Sequence, residues 1–386
     1  MSDAIDSKLP NVGTTIFTVM SQLADDHDAI NLSQGFPSFD PPDELLERVE
    51  HYLRSGANQY APMPGTPVLR EAIAGKIQRS LNISVDAERE ITVSTGATEG
   101  LFSAIQAIVR PGDEVIVFDP AYDAYEPAVA LAGGLTRHVP LTIDDELDFH
   151  VDWNRFADAL NDRTRLAILN FPHNPTGAVL SDEDLAALAE ILQNTDIFLL
   201  SDEVYEHIVF DGVRHCSLLC NDELRERSFV VSSFGKTFHT TGWKVGYCVA
   251  PSRLTEEFRR VHQFTTFTVI TPMQLAIADY LDSNPGFYET LPEFYEAKRD
   301  FFCGLLENSR FRFKPAPSTF FQVLDYAVIS EEPDDLLAKQ WTRELGVASI
   351  PLSVFCETPF TGQKLRFCFA KDDKTLERAA EKLRKL

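Results

Sequence analysis

Between about residue 90 and residue 235 the chain alternates short, almost uninterrupted apolar runs with helical stretches, and this rhythm restricts the fold more than anything else in its 386 residues. The runs are Ile91-Thr92-Val93, Val115-Ile116-Val117-Phe118, Leu166-Ala167-Ile168-Leu169, Ile197-Phe198-Leu199-Leu200 and Phe229-Val230-Val231. A strand with one wet face alternates polar and apolar residues, so strands this uniform are covered on both faces. Helices between successive strands make a mostly parallel sheet, and the fold class is α/β. Ser181 and Asp184 have capping-box spacing ahead of Leu185–Leu192 and mark one helix start.

The flanks have other rhythms. Thr14–Leu23 reads as an arm or short helix, while Asp43–Leu53 and Val68–Leu81 carry apolar residues at helical spacing. Between them Asn58–Gly65 is too rich in proline for a helix or central strand. Beyond residue 290 the pattern predicts a helix near Phe294–Leu306, strands at Phe320–Leu324, Gly346–Ile350 and Leu365–Phe369, and a closing helix with Leu376, Ala379, Ala380 and Leu383 on one face. Such an α+β tail beside a parallel sheet predicts two domains, because one core stops growing before this length. The expected division is an arm and part of a small domain over 1–45, a large cofactor-binding domain over 46–285 and a small domain over 286–386.

A formal charge of −24 argues against nucleic acid and anionic membrane surfaces as partners. No apolar run reaches spanning length, and Met1–Asp6 is acidic, unlike a leader, so the expected location is cytoplasmic. The six cysteines form no Cys-x-x-Cys pair with histidines at zinc spacing; reduced thiols and no metal are expected.

The strand ends carry the chemistry. In an open α/β sheet ligands bind beyond the C-terminal ends of the strands. Phe229-Val230-Val231 leads to Ser232-Ser233-Phe234-Gly235-Lys236-Thr237, which places an amine where burial can make it nucleophilic. A solvated surface lysine and a phosphate-loop tail are the blander alternatives. The second fails, because Val230 stands where G-x-x-x-x-G-K-[ST] needs glycine. Gly96-Ala97-Thr98 opens a helix and offers N–H groups to a phosphate. Tyr122 offers a flat face, Asn174 an amide, Asp202 a carboxylate and Tyr205 a phenol. Together these fit a phosphorylated pyridine bearing an aldehyde and a hydroxyl: pyridoxal 5′-phosphate. Lys236 would bond the aldehyde and shuttle the proton at the substrate Cα, and Asp202 would keep the ring nitrogen protonated. Tyr205 and Asn174 would serve the ring hydroxyl, Tyr122 would stack, and Ser233 and Lys244 would help hold the phosphate.

Asn174-Pro175-Thr176-Gly177, Ser201-Asp202-Glu203-Val204-Tyr205, Ser233-Phe234-Gly235-Lys236-Thr237 and Gly242-Trp243-Lys244-Val245-Gly246 together resemble the class I/II aminotransferases of the fold-type I pyridoxal-phosphate enzymes. The resemblance runs from about Phe17 to the C-terminus. Asn31–Pro37, Asn58-Gln59-Tyr60, Ile350–Phe355 and Leu365–Ala370 are most similar to the methionine aminotransferase and kynurenine aminotransferase/cysteine-conjugate β-lyase group. The resemblance implies a homodimer with shared active sites, Tyr60 reaching towards the partner subunit's phosphate, and Arg366 binding the substrate α-carboxylate with Gly35 and Asn174. It implies amino acid and 2-oxo acid substrates, with selectivity from Phe17, Tyr60, Phe267 and Phe320 or Phe321. No second arginine stands out for a distal carboxylate, which points to methionine or aromatic donors. A β-eliminating C–S lyase or kynurenine-type enzyme is the nearest alternative. A non-catalytic cofactor-binding regulator would carry a basic DNA-binding module, which this acidic chain does not show.

Overall fold

A computed structural model describes residues 7–357 and 362–386; the acidic opening stretch Met1–Asp6 lies outside the described residues. Strands β1 (Ile91–Ser94), β2 (Glu114–Asp119), β3 (Leu135–Pro140), β4 (Thr164–Asn170), β5 (Phe198–Asp202), β6 (Ser228–Ser233) and β7 (Gly246–Val249) form a seven-stranded sheet in the order β1-β7-β6-β5-β4-β2-β3. Neighbours from β6 to β3 are parallel, and β7 runs antiparallel between β1 and β6.

Alternate residues of each run pack on opposite faces. Val115, Val117, Leu166, Ile168, Leu200, Phe229 and Val231 join one core with Leu101, Ile105 and Ile108 of helix Gly96–Ile108 and Phe258 of helix Ser252–Thr265. Ile116, Phe118, Ala167, Leu169, Leu199 and Val230 join the other, with Leu185, Leu188 and Leu192 of helix Asp182–Leu192. That helix starts at a complete capping box between Ser181 and Asp184. The edge strand β3 has largely exposed alternate residues, so no apolar run announces it.

The C-terminal part builds a second sheet, with β8 (Phe321–Asp325) and β9 (Ile350–Pro351) antiparallel on either side of β10 (Lys364–Cys368). Helix Asp373–Leu383 buries Leu376, Ala379, Ala380 and Leu383 as its spacing predicts. The single strand expected over Gly346–Ile350 is divided: Val347–Ala348 pairs with Ile30–Asn31, and Ile350–Pro351 pairs with β10. One partner lies more than 300 residues away and the other just downstream, and a local apolar pattern encodes neither pairing. The chain around Ile30–Gly35 is thereby laid against the second sheet, where the Leu32 carbonyl accepts from Cys368 N at 2.8 Å. Helix Ile16–Asp26, N-capped by Thr15, brings Phe17 to the same region. All six cysteines are unpaired, and no described helix is long and apolar enough to cross a membrane.

Candidate active site

The parallel strands β2, β4, β5 and β6 release their chains on one side of the sheet, and β10 faces them from the second sheet. Phe17, Gly35, Ala97, Thr98, Tyr122, Asn174, Asp202, Tyr205, Ser233, Lys236, Lys244, Phe321 and Arg366 line one cavity of about 300 Å³ there. Segments more than 300 residues apart in sequence thus meet through the topology alone.

Lys236 lies in the single-turn helix Phe234–Thr237, whose N-cap Ser233 accepts from Gly235 N at 3.1 Å. Gly235 sits at a close approach, since a Cβ there would lie 3.0 Å from Thr241 Cα. The Lys236 ammonium donates to the Gly35 carbonyl at 2.7 Å and lies 5.1 Å from the Phe320 ring and 5.4 Å from Tyr205. Burial pulls its pKa from the ordinary lysine range down to about 8, with nearby Arg366 and Lys244 acting in the same direction.

Asp202 ends β5 and is buried. Its Oδ2 accepts from the Tyr125 hydroxyl at 2.8 Å, and Oδ1 has only a long contact from Val204 N at 3.4 Å. Burial raises its pKa to about 6, against the Tyr125 bond, which lowers it. Tyr122 meets Tyr125 edge-on at 5.7 Å and Phe17 at 6.4 Å; burial lifts its phenol to about 12. Tyr205 packs edge-on against Phe320 at 5.2 Å and Phe321 at 5.9 Å, and burial holds its phenol well above the usual value.

Arg366, at the centre of β10, is fully buried. Nη1 donates to Asn174 Oδ1 and Nη2 to the Ser33 carbonyl, each at 2.7 Å. The guanidinium lies 3.9 Å over Phe321 and 5.3 Å from Phe17. Nε has no hydrogen-bond partner among the described residues. Burial lowers the pKa to about 10, so the group stays charged near neutrality. A buried cation with an unsatisfied donor is poised for an anion. A Cβ on Gly35 beside it would fall 2.9 Å from Phe321 Cζ, so a side chain there would have to displace that ring.

The helix Gly96–Ile108 opens on Gly96 at φ +68°, a conformation that favours glycine. A Cβ there would meet Lys244 Cε at 3.1 Å and Nζ at 3.2 Å, so the turn and the lysine share one small space. Lys244 Nζ also lies 3.4 Å from Thr98 Oγ1. First-turn N–H groups, a hydroxyl and an ammonium make a phosphate cradle. With the depressed amine, the buried carboxylate and the stacking tyrosine, this donor set fits pyridoxal 5′-phosphate.

Four expected residues, Gly96, Tyr60, Phe267 and Phe320, are not among those lining the cavity of the single chain. Tyr60 is 83% exposed and pairs edge-on with Phe267 at 5.5 Å. Phe320 lies behind the lining, against Lys236 and Tyr205. Sequence reading missed Tyr125 and Asn170, whose Oδ1 accepts from Asn174 N at 3.1 Å and whose side-chain amide donates to the Asp202 carbonyl at 3.0 Å. Asn170 ends a strand as Asp202 does, which was its signal. Tyr125 lies three residues after Tyr122, at the first position of the helix Tyr125–Leu131.

The family model for aminotransferase class I and II matches residues 27–383. Methionine aminotransferase of Escherichia coli K12 is 54% identical over 381 residues, covering 98% of both chains. Human kynurenine–oxoglutarate transaminase 3 is 32% identical over 401 residues, covering 97% of this chain and 88% of that one. The crystal structure of YbdL from Escherichia coli, identified with a methionine aminotransferase function, superposes with a TM-score of 0.96 at 53% identity, covering 99% of this chain and all of that one.

Proposed function

The chain belongs to the class I and II aminotransferases and uses pyridoxal 5′-phosphate, and from that premise we propose that it moves the amino group of methionine or an aromatic amino acid to a 2-oxo acid in two alternating half-reactions. The observation that carries this donor class is the lining of the cavity. Arg366 is the only arginine among its described residues, and Phe17, Tyr122, Tyr205 and Phe321 surround it. One guanidinium holds one α-carboxylate, and an aromatic wall favours an apolar or aromatic side chain over a second carboxylate.

When bound, the cofactor supplies an aldehyde that takes up the amino group and a ring that withdraws the electrons left at Cα. The residues do the rest. Arg366 Nε and its neighbouring N–H groups bind the substrate carboxylate, with Asn174 and Gly35 fixing the guanidinium and shaping the space. Lys236, its amine made less basic by burial, carries the proton from and to Cα. Asp202 Oδ1 holds the proton on the ring nitrogen, while Tyr205 and Asn174 serve the ring hydroxyl. Tyr122 stacks on the ring. Gly96, Ala97 and Thr98, with Ser233 and Lys244, hold the phosphate.

Several features support the wider reading. Residues 46–285 surround the seven-stranded sheet, and 286–386 with part of 1–45 surround the three-stranded one, in keeping with a large and a small domain. Exposed Tyr60, Phe264, Phe267 and Ile270 support a homodimer in which Tyr60 completes the partner's phosphate site. Six unpaired cysteines fit a reducing compartment and support a cytoplasmic location. The kynurenine–oxoglutarate relative favours a second reading with kynurenine as donor, beside which the sequence resemblance sets β-elimination from cysteine conjugates. Counting pyruvate and ammonia against 2-oxo acid separates that reaction from transfer. The test of the main reading is a donor panel. Methionine and aromatic amino acids are expected to lead in kcat/KM, and aspartate or branched-chain donors leading them would overturn the proposal.

A further inference from the structure

Tyr125 opens the helix Tyr125–Leu131 and is 3% exposed, with a phenol that touches two functional groups at once. Its hydroxyl donates to Asp202 Oδ2 at 2.8 Å, and its ring meets Tyr122 edge-on at 5.7 Å and 76°. Among the described residues no other side chain donates to the Asp202 carboxylate; its remaining bond is the 3.4 Å contact from Val204 N. We propose that Tyr125 is a positioning residue that keeps Asp202 ionised and turned so that Oδ1 is left for the ring nitrogen of the cofactor. The proposal rests on the assignment of Asp202 to that nitrogen.

The chemistry follows from the burial of the carboxylate. An ionised carboxylate can hold a proton on a pyridine nitrogen; a neutral carboxylic acid cannot do so as an anion. Removal from water favours the neutral acid, and every donor to the charged form opposes it. The groups that face Asp202 are Tyr125 and Tyr122 from the segment after β2, Lys236 from the turn after β6, and Glu203 and Tyr205 from its own segment. Lys236 helps through its charge only while protonated, and Glu203 opposes. Tyr125 is different, because burial and the Asp202 charge hold its phenol well above the usual value, so it stays a donor throughout the working range. Its orientation is fixed as well. The bond occupies one carboxylate oxygen on the side of Tyr122, and the packing of the two tyrosine rings ties the stacking face to the same point.

Tyr125→Phe removes one oxygen and keeps the ring, and it separates the hydrogen bond from packing. Two readouts on the holoenzyme do not depend on turnover: the dissociation constant for pyridoxal 5′-phosphate, and the pH titration of the bound cofactor's visible absorption. A less firmly anionic Asp202 leaves less positive charge at the ring nitrogen, which makes a second proton at the amine end easier to hold. The apparent pKa of the absorption change is expected to rise by about half a unit or more, and the dissociation constant by about tenfold. The melting temperature of the apo protein is expected to fall by no more than a few degrees at pH 7, because the buried carboxylate loses one donor. Tyr125→His, which keeps a ring donor, is expected to lie between wild type and Tyr125→Phe, and it is read against the same two quantities should Tyr125→Phe not fold. Titration and affinity superimposable on wild type in Tyr125→Phe would overturn the proposal. Asp202→Ala distinguishes the two ways of failing. If it shifts both readouts while Tyr125→Phe shifts neither, the role of Tyr125 alone is wrong; if it too shifts neither, the assignment of Asp202 falls and takes the proposal with it.

Discussion

Arg366 and Asn174 come from opposite sheets and meet directly, Nη1 donating to Oδ1 at 2.7 Å, with the guanidinium fully buried. The contact joins the loop after β4 to the centre of β10, and Nε of the arginine has no partner among the described residues. Arg366→Lys replaces a planar fork with a point charge that cannot make these bonds together with one to a carboxylate. The expected result is a fall of about a hundredfold or more in kcat/KM for methionine, through KM, with cofactor affinity close to wild type. Steady-state kinetics beside a cofactor titration checks both parts.

Lys236 has a pKa lowered by burial to about 8, and the neutral amine is the form that bonds an aldehyde. Its neutral fraction rises about tenfold per pH unit below that value and levels off above it. The rate at which apo protein captures pyridoxal 5′-phosphate is therefore expected to climb from pH 6 to about 8 and then flatten. Stopped-flow absorbance at varied pH measures it, and a rate flat from pH 6 to 8 contradicts the assignment.

Asp202 is a stability cost in the apo protein. Its folded pKa is raised by burial to about 6 from the ordinary aspartate value of 3.8, so the folded state binds the proton more tightly than the unfolded one. The associated stability is fully present below the unfolded value and is lost as pH rises through the folded one. Asp202→Asn is expected to raise the melting temperature of apo protein at pH 7 by a few degrees and to leave it nearly unchanged at pH 4. Scanning calorimetry at the two pH values checks the sign.

Lys76 and Glu206 form an ion pair at 2.7 Å with side chains 1% and 10% exposed. Tyr247 accepts from Lys76 Nζ at 2.9 Å and donates to Glu206 at 2.8 Å. Burial pulls the Lys76 pKa down against the pull of Glu206, and Lys76 holds Glu206 well below the carboxylate range despite burial. Glu206→Gln strands a buried charge and is expected to destabilise by about 3–5 kcal/mol, whereas the double variant Lys76→Met/Glu206→Leu recovers most of that loss. Urea denaturation of the apo protein measures both.

The sequence discloses different parts of this molecule to different depths. Strands β2, β4, β5 and β6 are legible because both faces are buried, which leaves Val115 and Ile116, or Leu199 and Leu200, equally apolar. Asp202, Ser233 and Lys236 are legible because they stand where such runs stop. Strand partners are not: β7 enters antiparallel between β1 and β6, and the residues after Gly346 split between two sheets. Edge strand β3 carries no apolar run because solvent covers part of it. Contacts between distant residues are equally hidden. Lys76 and Glu206 lie far apart in the chain, and Tyr125 looks like any core aromatic until the fold brings its hydroxyl to Asp202. Arg366 between apolar neighbours could equally be a structural ion pair, and only Asn174, Ser33 and the free Nε give it a direction.

Lys236 is the amine on which the whole site depends, and borohydride reduction of cofactor-loaded protein followed by peptide mass mapping tests its bond to the cofactor directly. A single pyridoxyl adduct is expected on the peptide containing Lys236. An adduct on any other lysine, or none on fully loaded protein, would contradict it.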